Sequence, residues 1–353
     1  MSERSTWNGN LFGGLLLSYL TAFGLWSALF IFGDAWYILA NSRILKLFIG
    51  AGLVRYHDRH AGFVDGIPEV EMYMLASDPV NWSVALLSFM LILAYWGARS
   101  WQFHGFAQAA GVAGKLGEHT RAFLYGTGIG HLMPFGGGSL ATGEALGTSA
   151  EHAEETRKLD QAFKGLEIVF FGLISLVLIG WNPWFKQLGS TAIFLACISA
   201  VVYGGVRAPF RSYVASTWTT LRSLPFATLM GLCALSVVSF QLIDWASYFV
   251  AQAFTTVNVL VGVDAEVMTM AIVCGYLARA VPLTPGGIGQ FEWGLALGIW
   301  FGGSSLPQAA TVALLITIFR LLAILVLTLA VRLFFPVNTS LRSALQLLSG
   351  SAN

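Results

Sequence analysis

The chain has 353 residues, of which 56% are apolar and only 10% are charged, and its net charge is +1. A typical soluble domain has roughly 25% charged residues, and a chain of this length cannot hide so much apolar surface from water, so the bilayer must be its solvent. This composition excludes a soluble enzyme, a secreted disulfide scaffold and a disordered chain, and the small net charge attracts no nucleic acid. Cys197, Cys233 and Cys274 lie far apart in apolar runs, which predicts buried thiols without a disulfide or metal role.

Six apolar runs are predicted to be membrane-spanning helices. Each is near or above the roughly 17–25 residues that a spanning helix needs. The first run is longer than a signal-peptide core and lacks a convincing cleavage site, so we interpret it as a retained span. In chain order the runs are 11–33, 81–97, 163–181, 190–206, 226–254 and 306–335.

Two further apolar stretches, 122–150 and 266–302, are interrupted by glycine and proline. We place the N-terminus in the cytoplasm and let each of these two stretches enter and leave the membrane on the same side. Of the 19 lysines and arginines, 12 are then cytoplasmic, 5 are outside and 2 lie in the membrane region. This asymmetry predicts a multi-pass protein of the cytoplasmic (inner) membrane with both termini cytoplasmic. Residues 41–80 then form a polar outer loop.

The segment between the second run and the first interrupted stretch has a mixed character. Residues 99–119 combine aromatic side chains, such as Trp101 and Phe103, with polar ones, such as Gln102 and His104. Such a mixture is typical of an amphipathic helix in the interface, and we predict one on the cytoplasmic side.

The two interrupted stretches contain the same pattern. Residues 134–144 and 282–292 both read P-x3-G-x5-E. Proline stops an incoming half-helix and glycine lets the chain reverse, so each stretch is predicted to be a helical hairpin whose tip stays within the membrane. The predicted break residues are Pro134, Gly138, Pro282 and Pro285.

Together these patterns predict an all-α polytopic membrane protein that forms a single integral domain over residues 1–353. It has about six spanning helices and two re-entrant hairpins arranged as an inverted repeat. The first half covers about 81–206 and the second about 226–335. The alternative is a set of kinked helices packed through small residues. The glutamate in each copy argues against it, because an intramembrane carboxylate is costly and by default indicates function.

Residues 281–292, Val-Pro-Leu-Thr-Pro-Gly-Gly-Ile-Gly-Gln-Phe-Glu, resemble the P-x-x-P-G-G-[LI]-G-x-x-E signature of the lysylphosphatidylglycerol synthetase/flippase transmembrane family. Residues 131–144 are similar to the first-half segment of that family, and Arg320 stands where the family often has arginine. Gly136 and Gly147 stand where the family has arginines. The resemblance covers most of the membrane chain.

The resemblance implies a flippase that moves a polar-headed lipid across the cytoplasmic membrane. Anionic or aminoacylated phospholipids and isoprenoid-linked lipids are the implied substrate classes. Because the chain ends soon after the last predicted span, the aminoacyl-transferase domain of the bifunctional members is not expected. The alternative is a non-transporting accessory subunit of a lipid or envelope-glycan synthesis assembly. Besides the lipid substrate and the bilayer, a second copy of the chain or a synthase is a possible partner.

An intramembrane enzyme is disfavoured, since no nucleophile–base pair at helical spacing accompanies the intramembrane polar residues. No P-loop, dinucleotide fingerprint or HExxH motif occurs, so no cofactor or metal is predicted. His131, beside the first break, is interpreted as a packing residue.

The charged residues of the predicted membrane region are the candidate substrate-binding residues. An arginine fork suits a lipid phosphate, and the glycine-opened second half-helix offers N–H donors to the same anion. A glutamate would hold a cationic headgroup or a coupling proton, and we expect one within ion-pair distance of Arg279 or Arg320. The structural alternatives are ion pairs within the bundle or, for Glu167, snorkelling to the interface. The candidates are Glu144, Glu292, Arg320, Arg279, Asp244, Glu167, Gly286 and Gly287.

Overall fold

The described part of the chain is helical and contains no β-strand, which confirms the predicted all-α class for these residues. The computed structural model describes residues 16–29, 81–109, 111–132, 137–146, 224–254, 263–279 and 287–334, together with positions 219 and 222. The helices with described bounds are α1 (Leu16–Leu29), α2 (Trp82–Ala109), α3 (Leu116–Leu132), α4 (Gly137–Ala145), α5 (Phe226–Ala253), α6 (Ala265–Arg279), α7 (Gln290–Phe301) and α8 (Leu306–Phe334).

Three helices, α2, α5 and α8, are long and apolar enough to cross a membrane. They correspond to the second, fifth and sixth predicted runs, and they expose large apolar side chains such as Leu86, Met230 and Leu325. Exposed apolar surface of this kind suits a lipid environment. Helix α1 covers part of the first run. The predicted spans 163–181 and 190–206 and the loop 41–80 lie outside the described residues, so the count of six spans stays a prediction.

Helix α2 is longer than we predicted, and the separate interfacial helix over residues 99–119 is wrong. Residues 99–109 continue α2, and the chain turns through Gly111 and Gly114, both at positive φ, before α3 begins. The polar side chain of Gln102 is buried against α5, where Nε2 donates a hydrogen bond to the Leu232 carbonyl at 3.1 Å. Gln102 therefore contacts protein rather than the interface.

Helices α2 and α5 pack against each other in antiparallel directions. Early in α2, the Ser88 hydroxyl donates to the carbonyl of Ala246, late in α5, at 2.8 Å. Later in α2, Gln102 contacts Leu232, near the start of α5. Each of these helices is followed by one of the interrupted stretches. Equivalent helices of two inverted copies would run in opposite directions, so this packing supports the inverted repeat, which stays a prediction.

Each interrupted stretch is a pair of helices packed against each other through glycine. In the first pair, α3 and α4, a Cβ atom at Gly126 would lie 2.6 Å from the Gly138 carbonyl oxygen. In the second pair, α6 and α7, a Cβ atom at Gly298 would lie 2.5 Å from Cα of Ala271. Each interrupted stretch thus contains two separate helices packed together, whereas a hairpin whose tip stays within the membrane remains a prediction.

Of the four predicted break residues, only Gly138 is described by the structure. Pro134, Pro282 and Pro285 fall outside the described residues. Gly138 lies in the first turn of α4, where a Cβ atom would be 2.9 Å from Cα of Gly130. Close approach to the partner helix therefore requires glycine at this position.

Helix α8 packs against both hairpins. Toward the C-terminal end of α8, the Thr328 hydroxyl lies 3.5 Å from the Leu124 carbonyl of α3. Near the middle of α8, Arg320 packs against Phe291 of α7. Because α8 contacts both pairs, residues from the two hairpins meet at its middle.

Candidate functional site

A small cleft lies where the two pairs of helices meet α8, and its cavity volume is about 20 Å³. Helix α3 contributes one residue, His131, and α6 contributes its last residue, Arg279. The residues that open α7 form the floor, and the middle of α8 closes the remaining side. The lining residues are His131, Arg279, Gly287, Ile288, Phe291, Glu292, Thr317, Arg320 and Leu321.

Arg320 is the most buried cation of the cleft, with 7% of its surface exposed. It lies roughly 20 Å along α8, at about 1.5 Å per residue. Its guanidinium carbon is 4.0 Å from the centre of the Phe291 ring and 5.8 Å from that of Tyr276. Its Nε has no hydrogen-bond partner among the described residues. Arg320 therefore keeps unused donor capacity in the cleft.

Arg279 reaches the cleft because position 287 is glycine. Gly287 has φ of +76°, and a Cβ atom there would lie 2.8 Å from Cδ and 3.1 Å from Nε of Arg279. Any side chain at this position would strain the backbone and occupy the space of the arginine. The glycine-rich opening of α7 thus makes room for a second guanidinium beside the first.

Glu292 lines the cleft but also stabilises the start of α7. It is 2% exposed, and its carboxylate accepts a hydrogen bond from the Gly289 backbone N–H at 2.6 Å. This is the reach-back contact of an N3 glutamate to the N-cap residue. The expected ion pair is wrong for Glu292, because within the described part of the chain it forms none with Arg279 or Arg320.

His131 lies in the last turn of α3 and brings the first hairpin into the cleft. Its Nδ1 donates to the Thr127 carbonyl at 2.8 Å, since a carbonyl can only accept, and this assigns the ring hydrogen to Nδ1. The ring is edge-on to Trp96, with centroids 6.2 Å apart. These contacts agree with our interpretation of His131 as a packing residue, and the ring also lines the cleft.

The other candidate residues do not join this cleft. Glu144, in α4, is half-buried, and Asp244, in α5, is buried beside Thr269 of α6, and neither lines the cleft. Glu167 and Gly286 lie outside the described residues. Of the candidates, the cleft contains Glu292, Arg320, Arg279 and Gly287.

Sequence reasoning missed two polar or aromatic residues of the cleft, Thr317 and Phe291. Thr317 precedes Arg320 by one helical turn, so spacing along α8 would have placed both on one face. Phe291 lies inside the repeated motif, directly before Glu292. Its apolar character hid its role, which is to pack against a guanidinium group.

The charges of the cleft are unbalanced in favour of cations. Two guanidinium groups and the opening of α7 meet one carboxylate, and that carboxylate is already hydrogen-bonded to the backbone. Guanidinium groups and helix N-termini both favour anions, phosphate among them. Among the described residues, no three His, Cys, Asp or Glu side chains form a group that would hold a metal.

Among the described residues, three helices long and apolar enough to cross a membrane surround a cleft that contains two arginines, and this is the architecture of a polytopic membrane protein. The chain belongs to the family described as the lysylphosphatidylglycerol synthase TM region, which matches residues 43–328. This confirms the family indicated by residues 281–292, and it assigns the protein to a membrane with a lipid-related function. No curated protein and no solved structure matches the chain.

Proposed function

We propose that this protein moves a lipid with an anionic, phosphate-bearing headgroup across the cytoplasmic membrane. The substrate class is an anionic phospholipid or an isoprenoid-linked lipid phosphate. One observation carries the proposal: Arg279 and Arg320 line the same cleft, and Arg320 is buried with an Nε that lacks a partner among the described residues. The lipid-related family supports it independently.

The barrier to lipid movement lies in the headgroup, because a phosphate leaves its water when it enters the bilayer. The guanidinium groups replace part of that hydration with charge-assisted hydrogen bonds. The acyl chains stay among the apolar side chains that the long helices expose, such as Leu325 on α8. The protein then lowers the barrier without breaking a covalent bond, and the proposed activity needs no cofactor.

In this proposal, the two hairpins provide access from both leaflets. The cleft takes His131 from the first hairpin and Arg279 from the second, with α8 between them. If the hairpins enter from opposite sides, movement of one against the other opens the site alternately to each side. In this proposal both termini are cytoplasmic, which cysteine labelling from either side of intact cells would measure.

The test is headgroup movement in proteoliposomes, followed with fluorescent lipids. Arg320→Ala should lower the rate for an anionic phospholipid about tenfold or more, since a hydrogen bond to a charged group contributes roughly 1.5–3 kcal/mol. Arg320→Lys should retain part of the rate, because lysine keeps the positive charge but cannot form the two parallel hydrogen bonds of a guanidinium group. Arg332→Ala, which removes an exposed arginine from the end of the same helix, is the matched control.

A glycolipid without phosphate completes the headgroup comparison and should not be moved faster than in protein-free vesicles. Thermal melting establishes that each variant is folded. A folded Arg320→Ala protein with the full rate would remove Arg320 from the mechanism. That result would favour the accessory subunit, which predicts that the protein is recovered with a synthase instead of moving lipid.

A further inference from the structure

A second polar site lies in the bundle outside the cleft. Asp244 of α5 is buried, with 9% of its surface exposed. Its Oδ2 lies 2.7 Å from the Thr269 hydroxyl of α6, and its Oδ1 has no hydrogen-bond partner among the described residues. An acidic side chain in this position is costly unless something compensates for it.

The contact between Asp244 and Thr269 has two arrangements that differ by one proton. The Thr269 hydroxyl lies within reach of two acceptors, because the Ala265 carbonyl oxygen is 3.0 Å away. It has one hydrogen to donate. If Asp244 is ionised, that hydrogen goes to the carboxylate. If Asp244 is protonated, the acid donates to Thr269 and Thr269 donates to the carbonyl, so both bonds are satisfied together.

No cation compensates for the carboxylate within the described part of the bundle. Asp244 forms no ion pair there, and its hydrogen bond is to a neutral hydroxyl. The segment of α2 that packs beside it, from Trp82 to Ala94, has no titratable side chain. The titratable groups nearest in sequence on its own and the packed helices are Tyr248, Tyr95, Asp264, Glu266, Cys274 and Arg320, and none of them hydrogen-bonds to it.

We propose that Asp244 is a proton-binding site within the membrane bundle, and that its proton is coupled through Thr269 to movement of the second hairpin. The carboxylate takes up a proton from water on one side and returns it to water on the other. Proton binding is independent of lipid movement, whereas the coupling rests on the proposed function.

The link to the cleft runs along α6. Thr269 and Arg279 are ten residues apart on this helix, a separation of roughly 15 Å. A change in the Asp244–Thr269 contact displaces α6 against α5, and the far end of α6 carries an arginine of the cleft. When Asp244 is protonated, it hydrogen-bonds to Thr269 and α6 stays packed against α5. When Asp244 is ionised, a position of α6 that lets water reach the carboxylate is favoured.

The first experiment measures the proton itself. The infrared C=O band of protonated carboxyl groups is titrated in the full-length protein between about pH 5 and pH 9, the range in which buried carboxyls titrate. The wild type should show a component that Asp244→Asn lacks. Thr269→Val should shift its midpoint, whereas Thr269→Ser, which keeps the hydroxyl, should not. An identical titration in the wild type and Asp244→Asn would overturn the proton site.

The second experiment measures coupling in proteoliposomes with an imposed pH gradient. For one proton per lipid, the ratio of labelled lipid between leaflets should change about tenfold per pH unit. Asp244→Asn, which retains a donor for Thr269, should move lipid without responding to the gradient. A response to sodium in place of protons would overturn the proposal.

The two experiments separate the proposals. If the infrared component is present and no lipid moves, the proposed function fails and the proton site stands. If the wild type moves lipid but the ratio of labelled lipid between the leaflets does not depend on the pH gradient, the proposed coupling is wrong.

Discussion

The guanidinium carbon of Arg320 lies 4.0 Å from the centre of the Phe291 ring. An aromatic ring attracts a cation through its quadrupole and contributes no charge of its own. A carboxylate in the same place would neutralise the arginine. The ring therefore stabilises Arg320 inside the bundle while leaving its net charge for an anion.

Replacing Phe291 by leucine should slow lipid movement about fivefold, because a partly desolvated cation–π contact contributes about 1 kcal/mol. Phe291→Tyr retains the ring and should keep most of the rate. In an Arg320→Ala background the leucine substitution should have no further effect, which a double-mutant cycle of flipping rates measures. An unchanged rate for Phe291→Leu would show that the ring does not position the arginine.

Substituting Gly287 by alanine should impair lipid movement by displacing Arg279. Gly111 is the matched control, since its φ of +77° is nearly that of Gly287, at +76°, and nothing lies within 4 Å of a Cβ atom there. Both alanine variants should lose about 1 kcal/mol of stability from backbone strain. Only Gly287→Ala should also lose transport, and equal flipping rates in the two variants would contradict the role assigned to Arg279.

Gly126→Ala should destabilise the first hairpin. The added methyl group would meet the Thr142 side chain and lie 2.6 Å from the Gly138 carbonyl oxygen. Overpacking of this kind costs about 1–3 kcal/mol, so the melting temperature should fall. Gly117→Ala, in the same helix with open space around it, should be neutral or raise the melting temperature, because alanine favours helix by about 1 kcal/mol. Equal melting temperatures for the two variants would show that the close contact is absent.

His119, in the first turn of α3 before the predicted hairpin, should make stability depend on pH. It is fully buried, and its Nδ1 lies 2.8 Å from Nδ1 of His104. Burial lowers the pKa of His119, His104 lowers it further, and the bond to the Ala113 carbonyl only partly opposes this. The unfolded chain, with a pKa near about 6.5, then binds more protons than the folded one.

The free energy of unfolding should therefore be highest above about pH 6.5 and should fall as pH drops through the lowered folded-state pKa. Melting temperatures measured between about pH 8 and pH 5 test this. His119→Gln should reduce the acid-dependent part of the fall. An equal slope in the variant would assign the pH dependence to other groups.

Composition and local pattern by themselves determined the membrane solvent, the all-α class and the interruption of each of the two glycine- and proline-containing stretches. Transfer of apolar side chains into lipid depends on their number and order along the chain, so runs such as 226–254 predicted the long helices. The interruption of each of the two stretches was also predictable, because proline and glycine determine the backbone conformation at their own positions. The family signature in residues 281–292 is also local, and the family is confirmed.

Only the tertiary structure decided where each polar side chain goes. From the sequence, Gln102 is predicted to be an interfacial residue, but in the structure it hydrogen-bonds to α5. Glu292 is predicted to pair with an arginine, but its carboxylate accepts a hydrogen bond from the Gly289 backbone N–H. His131 enters the cleft because α8 holds the two hairpins together. Some of these contacts join residues that are distant in sequence, and others depend on the geometry of one helix turn. Each polar side chain has several possible hydrogen-bond partners of similar energy. The packing of the bundle decides which partner is bound, and the periodicity of the sequence does not predict it.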